Sequence, residues 1–179
     1  MKTKSNTTRK LALAGILTAV AVVGSLISVP VAGSKCAPVQ HMVNVFAAVV
    51  LGPWWGVAIA FCASLLRNLL GIGSLMAFPG SMVGALCCGL VYHFSKRISL
   101  TCVAEALGTG VLGGLCAYPV ATLFMSVDAA TTAVTAYIIP FFISTFVGSL
   151  IAGALVFALQ AGGALKRMQR TLDPNANNA

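Results

Sequence analysis

The chain has 179 residues, of which 59% are hydrophobic and only 8% are charged, whereas soluble domains carry roughly 25% charged residues. So few polar side chains cannot cover a soluble fold, and the composition indicates an integral membrane protein. Eleven Lys and Arg against three Asp and Glu give a net charge of +8. The basic residues fall between apolar runs, without interleaved exposed aromatics, which argues against nucleic-acid binding.

The sequence begins with a basic, polar segment at 1–10, and a long apolar stretch follows at 11–32. A secretory signal starts in a similar way, but its apolar core spans only about 7–15 residues. Because this stretch is longer, and because the rest of the chain needs the membrane as well, we expect an uncleaved first helix.

Six apolar segments predict an all-α integral membrane protein with six transmembrane helices. They lie at 11–32, 40–52, 55–70, 77–94, 99–125 and 131–159. A spanning helix needs about 20 residues, so the second and third segments are short. Pro119 and Pro140 predict kinks in the last two. The predicted organisation is a cytoplasmic N-terminus at 1–10, a transmembrane domain at 11–160 and a cytoplasmic polar tail at 161–179.

The basic residues also predict the orientation of the six spans. With both termini in the cytoplasm (N-in/C-in), nine of the eleven Lys and Arg lie inside, and only Lys35 and Arg67 lie toward the outside. The positive-inside rule favours this topology. The nine inner residues are Lys2, Lys4, Arg9, Lys10, Lys96, Arg97, Lys166, Arg167 and Arg170.

Motifs for catalysis, metal binding and redox chemistry are missing from the sequence. Five of the six cysteines lie inside apolar segments, with no CxxC and no Cys/His spacing for a metal, so they are predicted to pack as small hydrophobes. There is no Walker A, GxGxxG or GxSxG pattern, and no pair of carboxylates suited to acid–base work. We therefore expect that the chain is not an enzyme and binds no cofactor or metal ion, and that another chain carries out any ATP hydrolysis.

Polar and aromatic residues converge in the outer half of the predicted bundle. Arg67 and Asn68 are adjacent in an apolar run, and intramembrane ionisable groups normally face a bundle interior or a watery cavity. We predict a pocket open to the outside that binds a small, flat, polar ring compound. Its candidate residues are Lys35, Gln40, His41, Asn44, Arg67, Asn68, Phe78, Ser81 and Tyr118. Asp128 is the single candidate acid at this level, which argues against a strongly cationic ligand.

Several of these residues have simpler explanations. Arg67 could snorkel to the outer headgroups, and His41 could satisfy a helix end. Phe78 and Tyr118 could be interface or packing residues. Glu105, near the cytoplasmic start of the fifth span, could be stabilised by the helix dipole, pair with Lys96 or Arg97, face a partner, or bind the ligand.

The sequence resembles the substrate-binding S components of energy-coupling-factor (ECF) transporters, of the ThiW type. The resemblance covers roughly residues 9–160. It rests on "LALAGILTA" after the basic start, on "KCAPVQHMVNVFAAVVLGPWWG" and "SLLRNLLGIGSLMAFPGSMVGAL", and on the six-span plan. It implies a prokaryotic plasma-membrane protein that captures a thiamin precursor, hydroxyethylthiazole, from outside. This ligand is a small neutral heteroaromatic alcohol.

The resemblance also implies partners. S components dock onto a transmembrane coupling subunit and two ATPase subunits, and transport is thought to involve toppling of the S component in the bilayer. A small-residue face of the first span meets the coupling subunit, and here it would comprise Ala14, Gly15, Thr18 and Ala19. The connection after the first span, from Lys35 to His41, would form a lid over the ligand.

Other functions remain open at the level of sequence. The chain could be a structural or assembly subunit whose polar residues contact only a partner, or an S component for another small vitamin precursor. A self-sufficient secondary carrier is disfavoured because the chain forms one small domain without an evident internal repeat.

Overall fold

The computed structural model describes residues 2–31 and 34–172, with side-chain surroundings for 6–28 and 37–172. The apolar segments fold into helices that pack side by side. The elements in chain order are α1 (Lys2–Gly24), β1 (Val29–Val31), β2 (Ser34–Cys36), α2 (Pro38–Val50), α3 (Pro53–Leu69), α4 (Ala77–Ser95), α5 (Ile98–Leu107), a π-helical segment (Gly108–Gly113), α6 (Gly114–Phe124), α7 (Ile138–Ala161) and α8 (Ala164–Leu172).

The helix boundaries follow from proline and glycine. Pro38 and Pro53 begin α2 and α3, positions where the missing amide hydrogen costs nothing because the first turn has no acceptor for it. Gly52, between the two helices, has φ +93, a conformation that disfavours a side chain. The α2–α3 turn is therefore tight, and it turns the chain back beside itself.

The first apolar segment is not helical along its whole length. α1 ends at Gly24, and the chain then forms a two-stranded antiparallel hairpin in which Val29 pairs with Cys36 and Pro30 with Lys35. The predicted helix at 11–32 therefore stops early, six residues before Pro30. Proline restricts the residue before it to extended conformations, which agrees with Val29 lying in β1. The hairpin joins α1 to α2.

Four helices of the described residues are long and apolar enough to cross a membrane: Asn6–Gly24, Ala77–Ser95, Ile98–Phe124 and Ile138–Ala161. α2 is a shorter apolar helix of 13 residues, and α3 has 17. The predominantly helical fold and several candidate spans agree with the sequence-based prediction. The count of six spans and the N-in/C-in orientation stay predictions.

The side chains of the bundle are distributed as in a lipid-solvated protein. Large apolar residues face outward, among them Leu69, Ile139 and Leu150, which are 60–75% exposed. Polar residues lie inside, and Asn44 and Glu105 are completely buried. So large an exposed apolar surface would be unfavourable in water, whereas lipid tails solvate it. The buried polar groups must then satisfy one another within the bundle.

The fifth predicted segment is one long helical rod with an irregular centre. α5 continues through the π-helical segment into α6, and Pro119 lies inside α6. Isolated π-helical turns in α-helices often mark functional sites. Pro140 lies in the first turn of α7, where it removes no helical hydrogen bond. Pro140 is close to the N-terminus of the helix because α7 starts at Ile138 rather than near 131, and the kink predicted there stays a prediction.

Two glycines allow helices to approach closely beside the buried polar groups. A Cβ at Gly84 of α4 would collide with the hydroxyl of Thr109 and lie 2.8 Å from Oε2 of Glu105. A Cβ at Gly148 of α7 would lie 2.7 Å from Cβ of His41 and would also collide with the carbonyl of Pro38. Small residues allow such close helix contacts in membranes, where helices associate through packing because the hydrophobic effect does not drive them together.

We expect Gly84→Ala to destabilise the protein, because the added methyl group meets Thr109 and the Glu105 carboxylate. Overpacking of this kind costs about 1–3 kcal/mol. Gly15→Ala is the matched control, since no atom lies within 4 Å of a Cβ at that position. Thermal unfolding of both variants in detergent measures the difference. Equal melting temperatures would contradict the close approach of α4 to the π-helical segment.

Candidate functional site

A small cavity lies between α2, α3, α4, the π-helical segment and α7. Its volume, measured as the space open to the centre of a water molecule, is about 50 Å³. The lining residues are Ala37, Gln40, His41, Arg67, Ser74, Ala77, Gly80, Ser81, Thr109, Phe141 and Ser144. Polar groups thus come from five elements of the bundle, which is how a site for a polar solute is built inside an apolar fold.

Glu105 is the centre of the polar network next to this cavity. Its Oε1 lies 3.0 Å from Nδ1 of His41, and it accepts hydrogen bonds from Nδ2 of Asn44 (3.0 Å) and Oγ1 of Thr109 (3.0 Å). The side chain is completely buried. Three groups from two neighbouring elements therefore share one carboxylate oxygen, which compensates much of the cost of burying it.

The other oxygen of this carboxylate is less well satisfied. Oε2 of Glu105 is buried without a hydrogen-bond partner. When a neutral imidazole donates from Nδ1 to the carboxylate, its Nε2 is an acceptor. No described residue bonds to that Nε2. Because His41 lines the cavity, the contact with Glu105 leaves one ring nitrogen for a bound molecule.

Asn44 connects α2 to α4. Its Nδ2 also donates to the carbonyl of Ser81 (3.1 Å), and its Oδ1 accepts from Nε2 of Gln40 (3.1 Å). Oε1 of Gln40 is buried without a partner, and Gln40 lines the cavity. The Ser81 hydroxyl donates to the carbonyl of Ala77 (2.7 Å) and lies 3.1 Å from the Ser64 hydroxyl. This network fixes the positions of the cavity walls.

Arg67 brings a positive charge to the cavity without a counter-charge. The residue is only 4% exposed, and its Nε is buried without a hydrogen-bond partner. Among the described residues, no carboxylate lies within ion-pairing distance of it, since the buried pair there joins His41 to Glu105. A buried, unpaired guanidinium is costly. The cavity side of Arg67 is therefore the place where an acceptor would be bound most strongly.

Asn68 supports the backbone around Arg67 rather than lining the cavity. Its Nδ2 donates to the carbonyls of Ser64 (2.8 Å) and Ser74 (3.1 Å). The amides of Ile72 and Gly73 bond to the carbonyl of Arg67. The end of α3 and the following turn are thereby held beside the cavity wall at Ser74.

Of the predicted site residues, Asn68, Phe78 and Tyr118 do not line the cavity. Phe78 is partly buried and packs on Phe61, with ring centroids 5.7 Å apart. Tyr118 packs beside an apolar cluster, and its hydroxyl donates to the carbonyl of Ala129 (3.4 Å). Lys35 lies in β2, and its side chain lies outside the described part of the chain. Gln40, His41, Arg67 and Ser81 do line the cavity, and Asn44 lies directly behind it.

Sequence reasoning missed several residues of the site. Thr109, Ser74, Phe141 and Ser144 line the cavity but were not among the predicted residues. Thr109 could have been found from its position four residues after Glu105, a spacing that places two side chains on one helix face. Phe141 and Ser144 carry no comparable signal. Glu105 itself bonds to His41, Asn44 and Thr109, and not to Lys96 or Arg97.

The predicted partner face on α1 is divided by the fold. Ala14 is buried in the apolar core, and Thr18 donates to its carbonyl (2.8 Å). Gly15 and Ala19 are exposed.

Asp128, the outer acid, is exposed, and its Oδ1 accepts a hydrogen bond from the amide of Ala130 (2.8 Å). The described residues contain no group of three or more His, Cys, Asp or Glu side chains that could hold a metal ion.

A bundle with several membrane-length apolar helices around a polar cavity defines a helical membrane protein with an internal site. Residues 11–162 match the model of a family described as thiamine-precursor transporter protein (ThiW). The match covers most of the chain, so the chain belongs to the ThiW family, and the resemblance seen in its sequence is confirmed. Searches of curated proteins and of solved structures gave no match.

Proposed function

We propose that this protein is the substrate-capture component of an ECF-type importer, and that it binds a neutral thiamin precursor, hydroxyethylthiazole, in the cavity beside Arg67. Membership of a thiamine-precursor transporter family supports the class of substrate. The observation that carries the proposal further is the unpaired Arg67 in a cavity that also presents His41 and Gln40. These groups need a ligand with both hydrogen-bond acceptors and a donor.

The polar groups at the cavity match a heteroaromatic alcohol. The Arg67 guanidinium donates to a ring nitrogen or a hydroxyl oxygen, and Nε2 of His41 accepts from the hydroxyl group. Oε1 of Gln40 is a second buried acceptor. Phe141 and Ala77 supply apolar contacts for the ring. The residues Lys35, Asn44, Asn68, Phe78 and Tyr118 belong to the same outer region and act in this proposal as supporting or gating groups.

A ligand of this size requires the cavity to open. A volume of about 50 Å³ holds a few water molecules, since each needs about 10–15 Å³ by this measure. Strand β2 (Ser34–Cys36) comes directly before Ala37 of the cavity wall, and the turn at 70–76 contains Ser74 of the same wall. In the proposed cycle they move aside while the substrate binds and then enclose it.

The topology and the partners belong to the same proposal. The six helical rods, with α5, the π-helical segment and α6 counted as one, span the membrane with both termini in the cytoplasm of a prokaryotic cell. The exposed Gly15 and Ala19 face of α1 meets the coupling subunit, and two ATPase subunits supply the energy. In this assembly the chain itself performs no catalysis.

Calorimetry on the purified chain tests the proposal. We expect hydroxyethylthiazole to bind without ATP and without partner subunits, with the thiazole that carries an ethyl group in place of the hydroxyethyl group as the matched control ligand. Loss of the hydroxyl group leaves the His41 acceptor unpaired and should weaken binding by at least tenfold. Tighter binding of a pyrimidine precursor or of thiamin would change the assigned substrate. No binding of any of these ligands would favour a structural or assembly subunit.

A further inference from the structure

A second, larger cleft lies at the opposite end of the bundle from the Arg67 cavity. Its volume is about 560 Å³ by the same measure. The walls comprise the α2–α3 turn, the last turns of α4, α8, and Lys10 of α1. The lining residues are Lys10, Ala48, Val49, Val50, Leu51, Gly52, Pro53, Gly89, Tyr92, His93, Lys96, Lys166, Gln169 and Arg170.

The cleft is fixed in place by α8. Nε2 of Gln169 donates to the carbonyl of Val49 (2.9 Å) and to the hydroxyl of Tyr92 (3.3 Å). Leu165 and Leu172 are buried in the apolar core. This amphipathic helix thus lies against the ends of α2 and α4 and closes one side of the cleft.

The described residues of the cleft carry charge of one sign. Four basic residues from α1, α8 and the end of α4 line it, and none of the lining residues within 2–31 and 34–172 is acidic. Lys96, Lys166 and Arg170 are exposed, and Nζ of Lys96 lies 5.5 Å from the centre of the Tyr92 ring. Lysines near helix C-termini also stabilise the last carbonyls, and α2 and α4 both end here. That role requires no cavity, whereas these cations surround one.

We propose that this cleft binds a phosphate group, with an anionic phospholipid of the adjoining leaflet as the source that fits best. Basic pockets between helices at the cytoplasmic surface bind such headgroups. A basic amphipathic helix with buried leucines, such as α8, lies in the same interfacial layer. The phosphate contacts Lys96, Lys166 and Arg170, and the lipid tails follow the apolar outer surface of the bundle. The binding site is separate from the precursor site, and the proposal does not depend on the precursor's identity.

Binding of phosphatidylglycerol to the delipidated full-length chain, followed by native mass spectrometry, tests this proposal. Phosphatidylcholine and soluble glycerol phosphate are compared under the same conditions. The double variant Lys96→Gln with Lys166→Gln should lose phosphatidylglycerol affinity by about tenfold or more. The control double variant, Arg97→Gln with Arg167→Gln, removes the same charge from adjacent positions that do not line the cleft, and should change the affinity less than twofold.

Each outcome bears on the proposal. A selective loss in the lysine variant supports it, and parallel results with glycerol phosphate would identify a soluble phosphate as the source instead of the lipid. Equal losses in both double variants would show diffuse charge attraction and overturn it. Precursor binding should be unchanged in both variants, so failure here is distinguishable from failure of the transport proposal.

Discussion

Glu105→Ala is expected to abolish precursor binding and to lower the melting temperature strongly. The substitution removes the single acceptor shared by His41, Asn44 and Thr109. His41 and Thr109 lose the buried acceptor of their side chains, whereas Asn44 keeps the carbonyl of Ser81. Each buried donor left without a partner costs about 1–3 kcal/mol, so the combined loss of stability is about 2–6 kcal/mol. His41 and Thr109 line the cavity and would lose their orientation. Thermal unfolding and calorimetry with hydroxyethylthiazole measure the two effects.

The Glu105→Gln variant separates the effect of the carboxylate charge from the effect of the side-chain geometry. Glutamine keeps one acceptor oxygen and the side-chain length, so it should retain most of the stability while weakening precursor binding, because a neutral amide holds the His41 tautomer less firmly. Asp128→Asn is the matched control, since Asp128 is the other acid among the described residues and is exposed. It should leave both quantities unchanged. If Glu105→Ala behaved like Asp128→Asn, the role of Glu105 as the organising group would be wrong.

The fold could be predicted from the sequence where one physical rule dominates. Apolar runs set the helices, and Pro38 and Pro53 set two helix starts. Where two rules compete, the sequence was less informative. The apolar run at 25–31 has the composition of a helix, but Pro30 and the β-branched residues around it place the chain in a hairpin. Periodicity contains no information about that competition.

The candidate site was predictable only in part, for a similar reason. Gln40, His41, Asn44 and Arg67 stand out because they are polar in apolar surroundings. Glu105 stands out equally, but its distance along its helix from the cytoplasmic side suggested a role there. The close approaches at Gly84 and Gly148 bring α4, α7 and α2 together around it. α2 is short, so His41 and Asn44 lie deep enough to reach the carboxylate. The depth of a side chain within the bundle depends on such packing and cannot be calculated from the helical rise per residue alone.

The network also shows how stability and binding are divided in the site. Glu105 has three partners and stabilises the folded bundle. Arg67 has none among the described residues, and we expect its burial to destabilise the unliganded protein. The site thus combines a carboxylate with three hydrogen-bonding partners beside the cavity and a guanidinium without a partner on the cavity wall. A ligand that bonds to Arg67 binds the folded state alone, so ligand binding and folding stability are linked.

Arg67→Met is therefore expected to separate stability from function. Methionine has similar length and no charge, so removing the unpaired guanidinium should leave the melting temperature of the unliganded protein unchanged or raise it. Precursor affinity should fall by about 10–100-fold, because a hydrogen bond to a charged group contributes about 1.5–3 kcal/mol. Unfolding with and without ligand, together with calorimetry, measures both changes, and the ligand-induced rise in melting temperature should disappear in the variant.

The competing roles of Arg67 give different results in the same experiment. If Arg67 only anchored the helix at outer headgroups, Arg67→Met would lower stability and leave precursor affinity unchanged. If it contacted only a partner protein, assembly would change while both quantities stayed constant. Arg97→Met is the matched control, because Arg97 is exposed and lies at the end of α4, beyond the residues that line the cavity. A stable Arg67→Met variant that has lost its ligand is the result that only a substrate-binding guanidinium explains.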